Sequence, residues 1–213
     1  MSSLVALKKE MVEICRQMYQ RGYLVATDGN VSVRLNEKRI LITPTGVCKG
    51  FLSLKDLVTV DYGGKKLTRG PNPSSELLMH LFIHQRRKDV NAVVHAHPPF
   101  GTSFAVAGIS LNEPILPEIA VFVGEVPLLA YATPSTSEVP DSLKDFVDKH
   151  QAFLLKNHGV VTLGKNLLQA YHRLERVEHL AKIYAQAKNL GKVEMLSSSD
   201  LEKLSKIKER MKI

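Results

Sequence analysis

Short strand-like stretches that turn back on themselves, with amphipathic helices set between them, restrict this chain more than any other feature. "NVSVRLNEKRILIT" alternates Val31, Val33 and Leu35, passes a polar turn and resumes at Ile40 to Ile42, the pattern of a β-hairpin. "LVTVDYGGKKL" reads as another strand with a Gly-Gly turn, and "AFLLKNHGVVTLG" supplies two strands bent at Asn157–Gly159. Hairpins pair strands antiparallel, whereas a parallel neighbour needs a long crossover. The pattern therefore predicts an α/β fold in which a central mixed or mostly antiparallel β-sheet is flanked by helices. A doubly wound parallel sheet is disfavoured.

The helical stretches are legible by period. Leu4, Leu7, Met11, Ile14 and Met18 share one face of a helix over 4–21, which Gly22 can terminate. "SSELLMHLFIHQRRK" is an amphipathic helix leading into the strand "NAVVHAH"; "FGTSFAVAG" is a short helix and "VPLLAYA" a strand. A helix follows over 136–149. The longest runs from about Leu167 to Asn189, with Asn166 as its N-cap and Gly191 just past its end, and a last one follows Ser199. No repeat, low-complexity tract or linker divides the chain, and its 213 residues suffice for one core, so a single domain over 1–213 is expected.

Composition narrows the class further. No run of eighteen apolar residues predicts a membrane span, and lysines and glutamates interrupt the N-terminal stretch where a signal peptide would be apolar. Cys15 and Cys48 lack metal-motif spacing and fit unpaired thiols in a reducing, cytoplasmic setting. The net charge of +8 is spread over lysines scattered among glutamates plus a basic stretch at 203–212, with no recognised nucleic-acid motif. That distribution predicts solvated helix faces and neither a nucleic-acid nor a membrane partner. Its positive field suits a small anionic substrate such as a sugar phosphate.

"VVHAHPPF" places His95 and His97 one residue apart in an otherwise apolar strand. Strand residues i and i+2 share a face about 7 Å apart, so the two imidazoles can converge on one metal ion, with a third ligand from elsewhere. The competing reading is a pair of satisfied strand histidines, although two unpaired buried imidazoles would be costly. His158, at the glycine-associated bend in "LLKNHGVV", is the natural third ligand. His80 and His84 have the i, i+4 spacing of a zinc protease helix, but "HLFIH" lacks the glutamate that such an enzyme needs. They are expected on a helix surface or an interface; His172 and His179 are expected to be structural, and His150 to sit at a helix end.

Three stretches have the shape of anion seats. "NPSSE" puts Ser74, Ser75 and Glu76 at a helix start, where free N–H groups and the helix dipole favour an anion. Glu76 there is also compatible with a plain helix-dipole charge. "TDGN" at 27–30 and "TPTG" at 43–46 are small-residue turns beside strands that can form anion-binding concavities or serve simply as turns.

In this order and spacing, "DGNVSVRL", "ILITPTG", "PSSE", "VVHAHP" and "KNHG" resemble the class II aldolase/adducin family, most closely its fuculose-phosphate aldolases, over roughly residues 5–190. The resemblance implies a metal-dependent aldolase. It would reversibly cleave a short ketose 1-phosphate, such as L-fuculose 1-phosphate, into dihydroxyacetone phosphate and a short aldehyde through a zinc-stabilised enediolate. It implies that His95, His97 and His158 hold one zinc ion per subunit, with manganese or cobalt as substitutes. Glu76 is implied as the acid/base, and as a further metal ligand before substrate arrives. Gly29, Asn30, Thr45, Gly46, Ser74 and Ser75 are implied to hold the substrate phosphate. The implied assembly is a cytoplasmic homotetramer with active sites between subunits.

The resemblance breaks at the aldehyde end. Glu118 stands roughly where the family's aldolases carry a tyrosine, the tail "KLSKIKERMKI" has none, and Tyr131 matches no family motif. The aldehyde partner therefore stays open. Within the family, L-ribulose-5-phosphate 4-epimerases typically carry aspartate at the position of Glu76, while methylthioribulose-1-phosphate dehydratases share the metal and phosphate sites. Adducin-like heads use the fold for binding and assembly, a role with no evident need for three histidines and Glu76.

Overall fold

The computed structural model describes residues 4–211. Its strands are β1 (Asn30–Asn36), β2 (Arg39–Ile42), β3 (Val58–Asp61), β4 (Ala92–Ala96), β5 (Leu128–Leu129), β6 (Ala152–Leu155) and β7 (Gly159–Gly164). They form one sheet in the order β3-β2-β1-β4-β7-β6-β5. Every neighbouring pair is antiparallel except β5 with β6, so the sheet is mixed and mostly antiparallel, as the hairpin pattern predicts. The helices are α1 (Leu4–Gln20), α2 (Leu77–Arg86), α3 (Pro99–Ala107), α4 (Pro117–Phe122), α5 (Glu138–Leu143), α6 (Leu167–Leu190) and α7 (Ser198–Met211).

Alternation along the central strands sorts these helices into two layers. Ala92, Val94 and Ala96 of β4 join Val31, Val33, Leu154 and Val160 in a core shared with residues of α1, α3 and α6. Val93, Phe153, Leu155, Val161 and Leu163 face the other way, against Met79 and Ile83 of α2 and Val139 and Leu143 of α5. All five residues of β4 are buried, which is why its sequence is apolar on both faces. His95, two residues after Val93, shares that strand's α2 side.

Two charged side chains, Arg34 half-buried and Glu178 buried, tie the layers to the sheet. Arg34 of β1 donates to the carbonyl oxygens of His84, in the last turn of α2, and of Arg87 and Val90 just beyond it. Glu178 of α6 accepts the backbone N–H groups of Phe100 and Gly101 in the first turn of α3, where a carboxylate suits the helix dipole.

Several element bounds differ from the sequence expectation. The "VPLLAYA" strand shrinks to Leu128–Leu129, an edge strand paired on one side only. The helix over 136–149 is regular only through Leu143, and α2 begins at Leu77, after the two serines. Helix α4, opened by Pro117 at its first turn, was not anticipated. Asn166 does cap α6, accepting the Gln169 N–H at 2.8 Å. Cys15 and Cys48 are both free. Among the described residues no helix is long and apolar enough to cross a membrane.

Candidate metal centre

The sheet brings His95 and His158 together because β4 and β7 are neighbours, with His95 opposite Val161. His97 follows the end of β4, where its N–H bonds the Tyr23 carbonyl at 3.0 Å. His158 is aimed inward by a tight bend in which Asn157 takes a left-handed conformation at φ 56°. Gly159 makes this approach possible. A Cβ there would lie 2.6 Å from the Ala96 carbonyl oxygen and 2.6 Å from His97 Cδ2.

His95 meets the other two rings edge to face, with centroids 5.0 and 4.7 Å apart, and the rings of His97 and His158 are tilted by 58° at 5.1 Å. His95 Nε2 lies 3.2 Å from His97 Nε2 and 3.3 Å from His158 Nε2. His95 Nδ1 sits 3.0 Å from the Val160 carbonyl oxygen, and a carbonyl only accepts, so Nδ1 carries a proton and Nε2 is the nitrogen turned to the cluster. Burial works to lower the His95 imidazole, but the Glu76 carboxylate beside Nε2 outweighs it and raises the group. Tetrahedral zinc–imidazole bonds of about 2.0–2.1 Å imply nitrogen–nitrogen edges of about 3.3–3.4 Å, so the spacing suits three ligands of one ion. Burial pushes His97 down to about 3 and His158 to about 4, which keeps both imidazoles neutral and able to ligate at neutral pH.

Glu76 completes the cluster from the sheet's α2 side. Its Oε2 is 3.1 Å from His95 Nε2 and accepts the Asn30 side-chain N–H at 2.7 Å; its Oε1 is 3.6 Å from His158 Nε2 and has no hydrogen-bond partner among the described residues, although buried. Burial works to raise the Glu76 carboxyl, but His95, His158 and the Asn30 N–H outweigh it and hold the group well below the usual carboxylate range. A buried, unpartnered carboxylate oxygen beside a cluster of three imidazoles is a donor set that fits a divalent cation. The residues present therefore fit the metal that the sequence implies.

All six residues expected to hold a phosphate line the same cleft as Glu76, His97 and His158. Gly29 is left-handed at φ 69°, and a Cβ there would meet the Leu24 side chain at 2.3 Å, so this turn requires glycine. Gly46 is left-handed too, at φ 68°. The Thr45 N–H is taken by the Asn72 carbonyl, leaving the hydroxyl for a ligand. Ser74 is buried and its Oγ accepts the Glu76 N–H, while Ser75 is exposed. The Asn30 amide is engaged on both ends, so one of its N–H bonds is left for a ligand.

Three residues fall differently from the sequence reading. His80 and His84 are not on a helix surface: both are 0 % exposed and hydrogen-bonded to Ser32, because α2 turns that face onto β1. Lys49 was missed altogether. It lines the cleft at 2 % exposure, donates to the Thr27 carbonyl, and carries the one Lys or Arg charge among the lining residues. The "TPTGVCKG" sequence offered no signal for it beyond a basic residue near a turn. Glu118 is exposed, Tyr131 is 57 % exposed, and neither lines the cleft.

Comparison with known proteins bears on the same residues. The sequence profile described as "Class II Aldolase and Adducin N-terminal domain" matches residues 9–185. The chain is 37 % identical over 180 residues to an L-fuculose phosphate aldolase of Methanococcus maripaludis, covering 84 % of this chain and 96 % of that one. It is 36 % identical over 184 residues to a 3-oxo-tetronate 4-phosphate decarboxylase of Haemophilus influenzae, covering 84 % and 87 %. Among solved structures, an L-fuculose 1-phosphate aldolase superposes with a TM-score of 0.89 at 32 % identity, over 100 % of this chain and 99 % of that one.

Proposed function

The chain belongs to the class II aldolase and adducin family, and on that premise we propose that it is a zinc-dependent aldolase of short ketose 1-phosphates. Its products would be dihydroxyacetone phosphate and a short aldehyde. The observation that carries this reading is Glu76, buried with one unpartnered oxygen beside a cluster of three imidazoles, in a cleft that small-residue turns also line.

Breaking the C3–C4 bond leaves an electron pair on C3 of the phosphate-bearing fragment, next to its carbonyl. A divalent ion held by His95, His97 and His158 supplies Lewis acidity for that charge when bound, and manganese or cobalt would substitute for zinc. Gly29, Asn30, Thr45, Gly46, Ser74 and Ser75 grip the phosphate, so that remote binding energy orients C3. Lys49 adds a positive charge to that grip. Its ammonium is pushed down by burial, and a bound phosphate dianion would favour its charged form. Glu76 Oε1 takes a proton from C3 of dihydroxyacetone phosphate in synthesis and returns one in cleavage. With neither Glu118 nor Tyr131 in the cleft, the groups that meet the aldehyde would come from a neighbouring subunit of a cytoplasmic homotetramer.

A second reading has its own support in the decarboxylase relative. Loss of CO₂ from a 3-oxo-tetronate 4-phosphate leaves the same three-carbon fragment and the same electron pair for Glu76 to protonate. That reaction needs no aldehyde site.

Proton NMR of dihydroxyacetone phosphate in D₂O tests the shared half-reaction. Zinc-loaded protein should exchange the C3 hydrogens, and apo-protein and Glu76→Gln should not. Aldehyde release from L-fuculose 1-phosphate would then support the aldolase. Carbon dioxide from 3-oxo-tetronate 4-phosphate without aldehyde release would favour the second reading, and no exchange in metal-loaded protein would count against both.

A further inference from the structure

We propose that His84, Ser32 and His80 form a one-way hydrogen-bond chain that holds the Asn30 amide with its N–H on Glu76 Oε2, leaving Oε1 free to face the reacting carbon. The inference rests on the acid/base reading of Glu76 and makes these three residues positioning residues for it.

The direction of the chain follows by elimination. A carboxylate only accepts, so the contact of 2.7 Å between Asn30 and Glu76 Oε2 must use the Asn30 N–H. The Asn30 amide oxygen is then turned to His80 Nε2 at 2.5 Å, and that nitrogen must carry the proton. His80 Nδ1 is consequently an acceptor, and the Ser32 hydroxyl at 2.6 Å donates to it. The Ser32 oxygen, its own proton spent, accepts from His84 Nε2 at 2.8 Å. His84 Nδ1 makes no hydrogen bond of good geometry among the described residues, although the Val90 carbonyl lies beside the ring, and the chain ends there. Burial pushes both imidazoles down to about 3, so neither is protonated twice at neutral pH.

Geometry in the sequence builds the chain. Glu76, His80 and His84 are spaced by four around the start and body of α2, about 6 Å per step. Asn30 and Ser32 are two apart on β1, about 7 Å per step. The two ladders have nearly equal rungs, so side chains from helix and strand interleave. Asn30, Ser32, His80 and His84 are all at most 3 % exposed. Buried polar groups cost more than apolar fillers unless every partner is supplied, and apart from His84 Nδ1 this chain supplies them. If the Asn30 amide were reversed, its oxygen would face a carboxylate oxygen across a hydrogen-bond distance.

Long-range ¹H–¹⁵N NMR of the zinc-loaded protein tests the direction without reference to activity. His80 and His84 should both be Nε2–H tautomers; an Nδ1–H form of His80 would overturn the chain. The positioning role is read from C3 exchange kinetics. His80→Leu should lower kcat about 10- to 100-fold with metal content unchanged and KM within about threefold, and His80→Gln, which keeps a donor towards Asn30, should recover most of it. Unchanged kcat in folded, metal-loaded His80→Leu would sink the proposal, as would a loss confined to KM. Should His80→Leu fail to fold, Ser32→Ala and the tautomer measurement still decide. Full exchange by Glu76→Gln would instead remove the acid/base reading itself, whatever the tautomers.

Discussion

Glu76 stands between two groups of histidines that use the same side chain in opposite ways. On one side His80 and His84 sit on a helix four residues apart, and three of their four ring nitrogens are taken by protein partners. On the other side His95, His97 and His158 turn three Nε2 atoms towards one another, with the Glu76 carboxylate beside those of His95 and His158. The first arrangement spends its lone pairs and protons on the fold. The second leaves lone pairs over for a ligand. A buried histidine is thus assigned by where its second nitrogen goes, and its burial alone says nothing about metal.

Breaking the ligand side should have the largest effect. His158→Ala would remove one of the three proposed ligands, and we expect metal to be lost on dialysis and C3 exchange to fall by about a thousandfold or more. His84→Ala should keep the metal at the wild-type stoichiometry while lowering stability. Equal metal loss in both variants would erase the distinction between the two groups.

A smaller effect is expected where the ligand side is packed. Gly159→Ala forces a methyl group against the Ala96 carbonyl and the His97 ring. It should cost about 1–3 kcal/mol in urea unfolding and weaken metal binding with it. Wild-type affinity in that variant would mean that the bend at Asn157–Gly159 does not set the site.

The effect on the fold side leaves activity at neutral pH aside and is a slope. His84 is pushed by burial to about 3, whereas in the unfolded chain it titrates near its ordinary value of 6.5. Below pH 6.5 the unfolded chain therefore binds a proton that the folded one refuses, and stability falls with pH until about 3; above 6.5 the group contributes nothing. His84→Gln should flatten the dependence of unfolding free energy between pH 6 and 4 by about 1.4 kcal/mol per pH unit. Parallel slopes for wild type and variant would show that His84 protonates in place.

Much of this was legible in the sequence. Period-two alternation in Val31, Val33 and Leu35 and the hairpin turns gave the sheet its antiparallel character, and the i, i+2 pair His95 and His97 needed no structure to share a face. Other features depend on partners far away in the chain. His80 and His84 look like surface residues until Ser32, about fifty residues upstream, is placed opposite them. Lys49 reads as one more solvated lysine, and only the packed turn around Thr27 puts it inside the cleft. The short strand β5 is curtailed by its place at the sheet's edge, which local pattern does not encode.

Cobalt(II) titration followed by visible absorption tests the division of the histidines most directly. The account predicts ligand-field bands of low-symmetry cobalt that saturate at one equivalent per chain in the wild type and in His80→Gln, and that are absent in His158→Ala. The same bands in His158→Ala, or none in the wild type, would contradict it.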